Sequence, residues 1–184
     1  HWSSQWSEIN SDSTVINMIS LKIQSLGSFM SGLFSKNTFD SFLLSEGMLQ
    51  MGVTWQVDGK LNQAFFDKEE WEDKEQRPYE YARWSDIRPS LRELSRGKKA
   101  PVCFQFVLHL KPEYMKSILE KEGDSELLSC VGAFVLTVRY RDGQASLLTG
   151  ISMKSFTMNK NADRLWDTTV RKFLQKRDIS FEEF

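Results

Sequence analysis

The sequence predicts an α+β protein with a mainly antiparallel sheet, built from two related strand-helix-hairpin units, a connecting helix and a C-terminal helix. Three observations support this fold class. Short runs in which apolar and polar residues alternate are typical of half-buried strands. Stretches with apolar residues three and four positions apart, typical of amphipathic helices, lie between them. Two Asp-Gly pairs, at 58–59 and 142–143, are typical of hairpin turns.

The first unit covers about residues 18–66 and opens with a strand. Ile19, Leu21 and Ile23 alternate with polar residues, which predicts a half-buried strand. Ser25 is a suitable N-cap for a short helix that ends near Asn37. The apolar face of that helix consists of Leu26, Phe29, Met30, Leu33 and Phe34.

The same unit continues with strands. Residues 42–50 and 53–57 have strand patterns, and the Asp58-Gly59 pair predicts a hairpin after them. We therefore expect a returning strand over 61–66.

A charged connector, residues 67–99, follows. Its first part is acidic and aromatic, and some of it is expected to be helical. Pro89, placed at the first position of a helix after Asp86, predicts a short helix that ends before Gly97.

The second unit, about residues 100–157, repeats the pattern of the first. A strongly apolar strand over 102–110 precedes a helix that begins at Pro112 and ends at Gly123. A strand over 131–140, the Asp142-Gly143 turn and a strand over 145–153 complete it. The correspondence is one of pattern, and it predicts an internal duplication.

The chain closes with an amphipathic helix over about 161–177, which would cover one face of the sheet. Its apolar stripe consists of Leu165, Trp166, Thr169, Val170, Phe173 and Leu174. The last four residues are expected to form a loose tail. At the other end, residues 1–17 are polar and Ser-rich, and Met18 opens the strand pattern. We expect residues 1–17 to be a leader outside a single domain that covers 18–184, with a packed arm carrying Trp2 and Trp6 as the alternative.

Composition restricts the class of protein. The 184 residues are 40% hydrophobic and 27% charged, and 24 basic against 25 acidic residues give a net charge of −1. This near-neutral balance argues against non-specific nucleic-acid binding, although it allows a local basic patch. No apolar run reaches the length of a membrane span. Cys103 and Cys130 lie in apolar contexts, which favours buried reduced thiols and a cytoplasmic location.

The sequence contains few groups suited to catalysis or metal binding. His109 lies in a strand, where alternation places it on the same face as Gln105 and Val107. With His1 the only other histidine, we expect no zinc site and no cofactor. Glu69, Glu70 and Asp73 could share a helical face and bind a hard cation or support an enzyme, but a solvated acidic face is the simpler interpretation.

A basic run is the most suggestive surface feature. Arg88, Arg92 and Arg96 recur every four residues, with Arg88 at the mouth of the predicted helix, and Lys98 and Lys99 follow. Arginine suits bidentate recognition of phosphate or carboxylate. Trp84 and Tyr81, just upstream, could stack on a base. Three interpretations stay open: salt bridges to the acidic connector or plain solvation, a protein partner, or a nucleic acid.

Five segments of the chain resemble an uncharacterised domain-of-unknown-function family of clostridial gut bacteria. They are Met18-Ile-Ser-Leu-Lys-Ile, Thr38-Phe-Asp-Ser-Phe-Leu-Leu, Arg96-Gly-Lys-Lys-Ala-Pro, Thr149-Gly-Ile-Ser-Met-Lys-Ser-Phe-Thr and Trp166-Asp-Thr-Thr-Val-Arg-Lys-Phe-Leu. The resemblance implies a bacterial, cytoplasmic, single-domain protein, and it implies no catalytic residues. The duplicated unit also resembles, in topology only, the repeat of DNA sliding clamps, and fold analogy does not establish function.

These observations favour a non-enzymatic binding or assembly module that acts through protein partners. The alternative is a nucleic-acid or phosphate-ligand binder that uses the basic run. An enzyme would use carboxylate chemistry around Glu69, Glu70 and Asp73, and it would need a buried carboxylate with a raised pKa in a cleft.

Overall fold

The computed structural model describes residues 15–184, and these residues contain an eight-stranded antiparallel sheet with helices packed against it. The strands are β1 (Val15–Ile23), β2 (Phe42–Gln50), β3 (Thr54–Asp58), β4 (Ala82–Arg83), β5 (Cys103–Leu110), β6 (Val131–Arg141), β7 (Gln144–Met153) and β8 (Phe181–Glu183). The helices are α1 (Leu26–Phe34), α2 (Lys68–Glu72), α3 (Trp84–Ser95), α4 (Pro112–Glu122), α5 (Ser125–Cys130) and α6 (Asn161–Lys176). The predicted α+β class is confirmed.

The strand order is β3-β2-β5-β6-β7-β1-β8, with β4 beside β2. Because β2 is longer than either neighbour on its outer side, both fit along it. Residues 46–50 of β2 pair with β3, and Leu43 and Leu44 pair with β4. Gly59 directly follows β3 and begins the segment that leads to β4. Its amide donates a hydrogen bond to the carbonyl of Ser45 at 2.8 Å.

Strand alternation gives the sheet two different faces. On β5, Phe104, Phe106 and Leu108 are buried in the core. Gln105 and His109 point to the opposite face, as the alternation predicted for His109, and there Gln105 pairs in register with Arg139. We call this second surface the open face.

The helices bury their apolar residues against the core face. The indole N–H of Trp84 on α3 donates to the carbonyl of Leu33 on α1 at 2.9 Å, and that of Trp166 on α6 donates to Val135 on β6 at 2.8 Å. Both rings are 0–1% exposed, so these hydrogen bonds satisfy donors that burial would otherwise leave without a partner. Phe34 contacts Phe104 edge to face, with the ring centroids 5.5 Å apart.

The structure confirms many of the predicted elements. The second strand covers residues 42–50, and α4 begins at Pro112 and ends before Gly123, which has a φ of 69°. The Asp142-Gly143 turn has φ values of 51° and 77°, as a two-residue hairpin requires. The C-terminal helix, α6, ends one residue before the predicted boundary.

The strand predicted over 61–66 is wrong. The hairpin between β2 and β3 turns at residues 51–53, where the amide of Met51 donates to the carbonyl of Val53. Asp58 accepts a hydrogen bond from the amide of Lys60, so this Asp-Gly pair redirects the chain along β2. Gln63–Phe65 is a short 3-10 turn.

The predicted start of the connecting helix is also wrong. Helix α3 begins at Trp84, five residues before Pro89, so Pro89 lies inside the helix and Arg88 is not at its mouth. The buried indole of Trp84 anchors the first turn, and proline removes one backbone donor from the helix interior. The predicted end before Gly97 is confirmed.

The C-terminal residues form a strand, which corrects the expectation of a loose tail. Asp178, with a φ of 54°, turns the chain after α6, and β8 then pairs with Leu21–Ile23 of β1. The guanidinium of Arg171 contacts the carboxylate of Glu183 through Nε and Nη2, at 3.1 and 2.6 Å. Three strand residues after a helix are too short a signal to recognise in the sequence.

Two further differences concern the middle of the second unit and the start of the domain. The sequence did not predict α5, which Asp124 caps through the amides of Glu126 and Leu127. Strand β1 starts at Val15, so the sheet includes three residues that we had expected to lie in the leader. Trp2, Trp6 and the rest of 1–14 lie outside the described residues.

The order strand-helix-strand-strand occurs twice, in β1-α1-β2-β3 and in β5-α4-β6-β7. The pairing differs, because β5 pairs directly with β6 whereas β1 pairs with β7 and β8. The internal duplication stays a prediction.

Candidate functional site

A groove crosses the open face of the sheet. Its first part has a volume of about 510 Å³ and lies over β3, β2 and the start of β5. Polar side chains line it, among them those of Ser45, Glu46, Gln56, Asp58, Lys60, Tyr81 and Gln105. Met48, Val57 and Val107 add apolar surface. The second part, of about 110 Å³, adjoins the first and shares Ser45, Glu46, Tyr81 and Val107 with it.

The second part continues across the sheet to β1. It is lined by Val15, His109, Val135, Thr137, Arg139, Leu148 and Ser152 in addition to the shared residues. Gln105, which is 4% exposed, accepts a hydrogen bond from Nε of Arg139 at 2.7 Å. Buried polar side chains in the middle of a sheet face are costly unless paired, so this hydrogen bond satisfies the Gln105 amide oxygen on the floor of the groove.

Two carboxylates meet at the β3 end of the groove. Glu46 of β2 and Asp58 of β3 are directly opposite each other in the antiparallel ladder. Burial of Glu46, together with the negative charge of Asp58, raises the pKa of the Glu46 carboxyl above its usual value of 4.5. Lys60 lies nearby, but its Nζ is 3.8 Å from the carboxylate of Glu80.

His109 and Tyr81 form the middle of the groove. Their ring centroids are 5.2 Å apart in an edge-to-face arrangement. Burial lowers the pKa of His109 to about 4, so the imidazole is neutral at pH 7 and can act as either donor or acceptor. Burial, with the charge of Glu80, raises the pKa of the Tyr81 phenol.

The residues of the predicted basic run lie in different environments. Arg88 pairs with Asp40 through Nε and Nη2, at 3.0 and 3.2 Å. Arg96 pairs with Glu93 at 2.9 Å. Arg92, Lys98 and Lys99 are exposed. The partners of Arg88 and Arg96 therefore lie outside the acidic segment 67–81, which was the source of partners in the salt-bridge interpretation. The interpretations that involve a protein or a nucleic acid stay predictions.

The two predicted stacking residues lie in different environments. Trp84 is completely buried under α1 and presents no ring face to a ligand. Tyr81 lines the open-face groove. The helix that carries the arginines packs on the core face, where Trp84 contacts Phe106 with the ring centroids 5.2 Å apart.

The acidic residues of the connector have a local role. Asp67 accepts from the amide of Glu70, and Glu70 accepts from the amide of Asp67, so both carboxylates cap α2. Glu69 is exposed, and Asp73 accepts from the amides of Glu75 and Gln76. In residues 15–184, no three His, Cys, Asp or Glu side chains gather into a metal site.

Sequence reasoning missed Glu46, Asp58 and Arg139 as members of a site. Their signal was present but weak. Each is a charged residue at an open-face position of a strand, and the same is true of polar residues on any solvated sheet face. Gln105 between two phenylalanines was the stronger clue, since a buried amide needs a partner.

Across 15–184, no helix combines the length and the apolar composition that a membrane crossing requires. Cys103 and Cys130 are both free thiols and both buried, in agreement with the interpretation of the sequence.

Comparison with known proteins identifies a family and nothing closer. No curated protein matches the chain, and no solved structure matches it. A family model matches residues 32–182, which cover β2 to β7, the first two residues of β8 and both parts of the groove except Val15. This match confirms the expectation of an uncharacterised family. The chain belongs to DUF5721, a family of unknown function.

Proposed function

We propose that this protein is a non-enzymatic binding module whose open-face groove receives an extended segment of a partner protein. The supporting observation is the groove itself, which is long, half-buried, polar in part and acidic at one end. A bacterial, cytoplasmic setting, implied by the family resemblance, belongs to the same proposal.

The length of the groove suits an extended chain. Its lining residues come from β3, β2, β5, β6, β7 and β1, which are six neighbouring strands. At about 4.8 Å between strands, the groove crosses roughly 24 Å of sheet, which corresponds to about seven extended residues at ~3.3 Å each. A compact metabolite would fill only one part of it.

The charges of the groove suggest the chemistry of the segment. Glu46 and Asp58 repel each other at one end, and a lysine or arginine side chain placed between them would relieve that repulsion. Val107, Val135 and Leu148 provide an apolar floor for the next side chains. We therefore expect a basic residue followed by apolar residues.

The test uses defined peptides. Two pools of fluorescent seven-residue peptides, alike except for a lysine or a glutamate at one position, would be titrated with the full chain by fluorescence polarisation. We expect the lysine pool to bind and the glutamate pool not to bind. The change Glu46→Gln with Asp58→Asn should weaken binding of the lysine pool at least tenfold.

A matched control removes the same charge elsewhere. Glu69→Gln with Glu72→Gln on the exposed helix α2 lowers the negative charge equally and should leave peptide binding unchanged. Equal binding of both pools would contradict the proposal, because the groove would then not select a basic residue. Equal loss in both double variants would also contradict it, because binding would then depend on overall electrostatics.

The basic run supports a second binding mode, to a nucleic acid or phosphate ligand. Arg92, Lys98 and Lys99 are exposed at the end of α3, where Arg96 is also exposed. Oligonucleotide affinity that falls steeply with salt, and that Arg92→Ala with Lys98→Ala and Lys99→Ala abolishes, would favour this alternative.

Glu46 also makes an enzyme a specific candidate. A half-buried carboxylate with a raised pKa in a cleft is suited to general acid catalysis. Hydrolysis of 4-nitrophenyl esters or glycosides that falls about 100-fold or more in Glu46→Gln would support it. Absence of turnover with these substrates would favour the binding module.

A further inference from the structure

Arg77 has a buried guanidinium edge without a hydrogen-bond partner. Its Nε and Nη2 are the buried side-chain nitrogens that lack a partner within the described part of the chain. The guanidinium carbon lies 4.3 Å from the centroid of the Phe66 ring and 5.5 Å from that of Trp71. A ring face attracts the cation but offers its N–H groups no oxygen acceptor.

Arg77 lines a pocket of about 280 Å³ that is separate from the main groove volume and touches it at Tyr81. Leu61, Phe66, Pro78, Tyr79 and Ile87 form its apolar walls. Arg83 supplies a second guanidinium, whose carbon lies 5.5 Å from the centroid of the Tyr79 ring. The pocket thus combines two arginines with aromatic surface.

The carboxylates around this pocket are engaged elsewhere or exposed. Asp86, the acidic residue among the lining side chains, lies 3.9 Å from Nη1 of Arg83 and is 66% exposed. Glu113 accepts a hydrogen bond from the hydroxyl of Tyr79. Two guanidinium groups therefore face one carboxylate in the lining, and the pocket has an excess of positive charge.

Two other arginines of this protein bind a carboxylate through the Nε and Nη2 edge of the guanidinium. Arg88 contacts both oxygens of Asp40 through Nε and Nη2, and Arg171 contacts both oxygens of Glu183 through the same two atoms. This bidentate geometry is the preferred way for arginine to bind a carboxylate or a phosphate. In Arg77 the equivalent two atoms have no such partner.

We propose that the pocket between Arg77 and Arg83 binds a small ligand through its oxyanion, a carboxylate or a phosphate held on Nε and Nη2 of Arg77. Because rings enclose these nitrogens, Trp71 must move aside as the oxyanion enters. Helix α2, which carries Trp71, has five residues and none of them is buried, so this movement breaks no core packing. The site differs from the proposed peptide groove in position and in the sign of its charge.

The test follows the Arg77 side chain directly. The full chain, labelled with nitrogen-15, would be titrated with inorganic phosphate and, separately, with acetate at pH 6 and constant ionic strength. The Nε–Hε correlation of Arg77, assigned by its loss in Arg77→Lys, reports the atom that would bind. We expect a saturable shift of this signal with phosphate, acetate or both, and none with chloride. A response to one anion alone identifies the oxyanion.

Two variants distinguish binding of the anion in the pocket from a general effect of the protein's charge. Arg77→Lys keeps the charge but removes the bidentate edge, so the shift of the Arg83 signal should require at least tenfold more anion. Arg164→Lys, an exposed arginine on α6 outside the pocket, should leave the titration unchanged. A linear shift without saturation, the same shift with chloride, or unchanged affinity in Arg77→Lys would overturn the proposal. If Arg77→Lys does not fold, nuclear Overhauser contacts of the Nε–Hε proton with the Phe66 and Trp71 rings assign the Arg77 signal, and the titration of the unmodified chain still decides the question.

Discussion

Glu46 and Asp58 face each other across β2 and β3 as directly paired residues of an antiparallel ladder. Like charges in this position are destabilising, and here one of them is also half-buried. Neither residue accepts a hydrogen bond from a cationic side chain in the described structure; the nearby Lys60 pairs with Glu80. This repulsive pair in the open-face groove is the feature on which we base the proposal that a basic ligand group binds there.

Neutralising Glu46 should stabilise the free protein. The pKa of Glu46 is raised in the folded state by burial and by Asp58, so the ionised carboxylate costs stability as the pH rises from 4.5 through the raised value. We expect Glu46→Gln to increase the free energy of unfolding at pH 7 by up to about 1 kcal/mol, since partial exposure screens the effect. Below pH 4.5 the gain should vanish. Urea unfolding at pH 4 and pH 7 measures both.

The control for this prediction is Glu69→Gln on α2, a residue exposed to solvent. It should change the free energy of unfolding by less than about 0.5 kcal/mol at either pH. Destabilisation by Glu46→Gln at pH 7 would mean that the carboxylate makes a favourable interaction in the free protein.

His109 should produce a pH dependence of the opposite sign. Its folded-state pKa of about 4 lies below the ordinary value of 6.5, so the unfolded chain binds a proton in this window that the folded chain does not. The stability contribution is fully present above pH 6.5 and is lost as the pH falls towards 4. The loss is on the order of 2–3 kcal/mol.

Two measurements check the histidine prediction. Replacing His109 with glutamine should flatten the dependence of unfolding free energy on pH between 6.5 and 4. Proton NMR of the His109 imidazole should give a titration midpoint near 4. A midpoint close to 6.5 would show that water reaches the ring freely and would remove the effect.

Most elements could be predicted from the sequence because their signals are local. The Asp142-Gly143 turn, Pro112 and Gly123 each impose a backbone conformation that does not depend on distant residues. Pro89 misled the assignment because the packing of Trp84 on Phe34 and Phe106, a tertiary contact, decides where α3 begins.

The candidate site was much less predictable. Glu46, Asp58, Tyr81 and His109 lie in four separate segments that only the strand order brings together. Strand order depends on long-range pairing, such as that of β2 with β5, and no local pattern records it. The basic run was visible because it is local, yet Arg88 faces Asp40, a residue 48 positions away.

Arg88 should contribute to the free energy of unfolding, and Arg92 should not. Arg88 and Asp40 are 19% and 27% exposed and join α3 to the segment before β2. Their hydrogen bonds raise the pKa of the arginine further above its usual value. We expect Arg88→Ala to reduce the free energy of unfolding by about 1–3 kcal/mol, because it leaves Asp40 without its partner.

Arg92→Ala is the matched comparison, one turn along the same helix and exposed. It should change stability by less than about 0.5 kcal/mol. If Arg88→Ala left stability intact but abolished binding of an oligonucleotide or peptide, the basic run would be a binding surface, as the sequence first suggested.

Gly59 should be the least replaceable glycine of the edge between β3 and β4. An alanine Cβ there would lie 1.7 Å from the carbonyl oxygen of Leu44, a backbone atom that cannot move without breaking the ladder of β2. We expect Gly59→Ala to destabilise the protein by about 3 kcal/mol or more, at the upper end of overpacking effects. Gly27→Ala in α1, whose Cβ would meet nothing within 4 Å, should instead stabilise it by roughly 0.5–1 kcal/mol. Gly59 follows Asp58 at the end of β3, and its carbonyl accepts from the amide of Ala82, the residue after Tyr81. Its replacement should therefore also weaken peptide binding in the groove. Thermal unfolding of both variants, with peptide titration of whatever stays folded, tests whether this close approach holds the groove together.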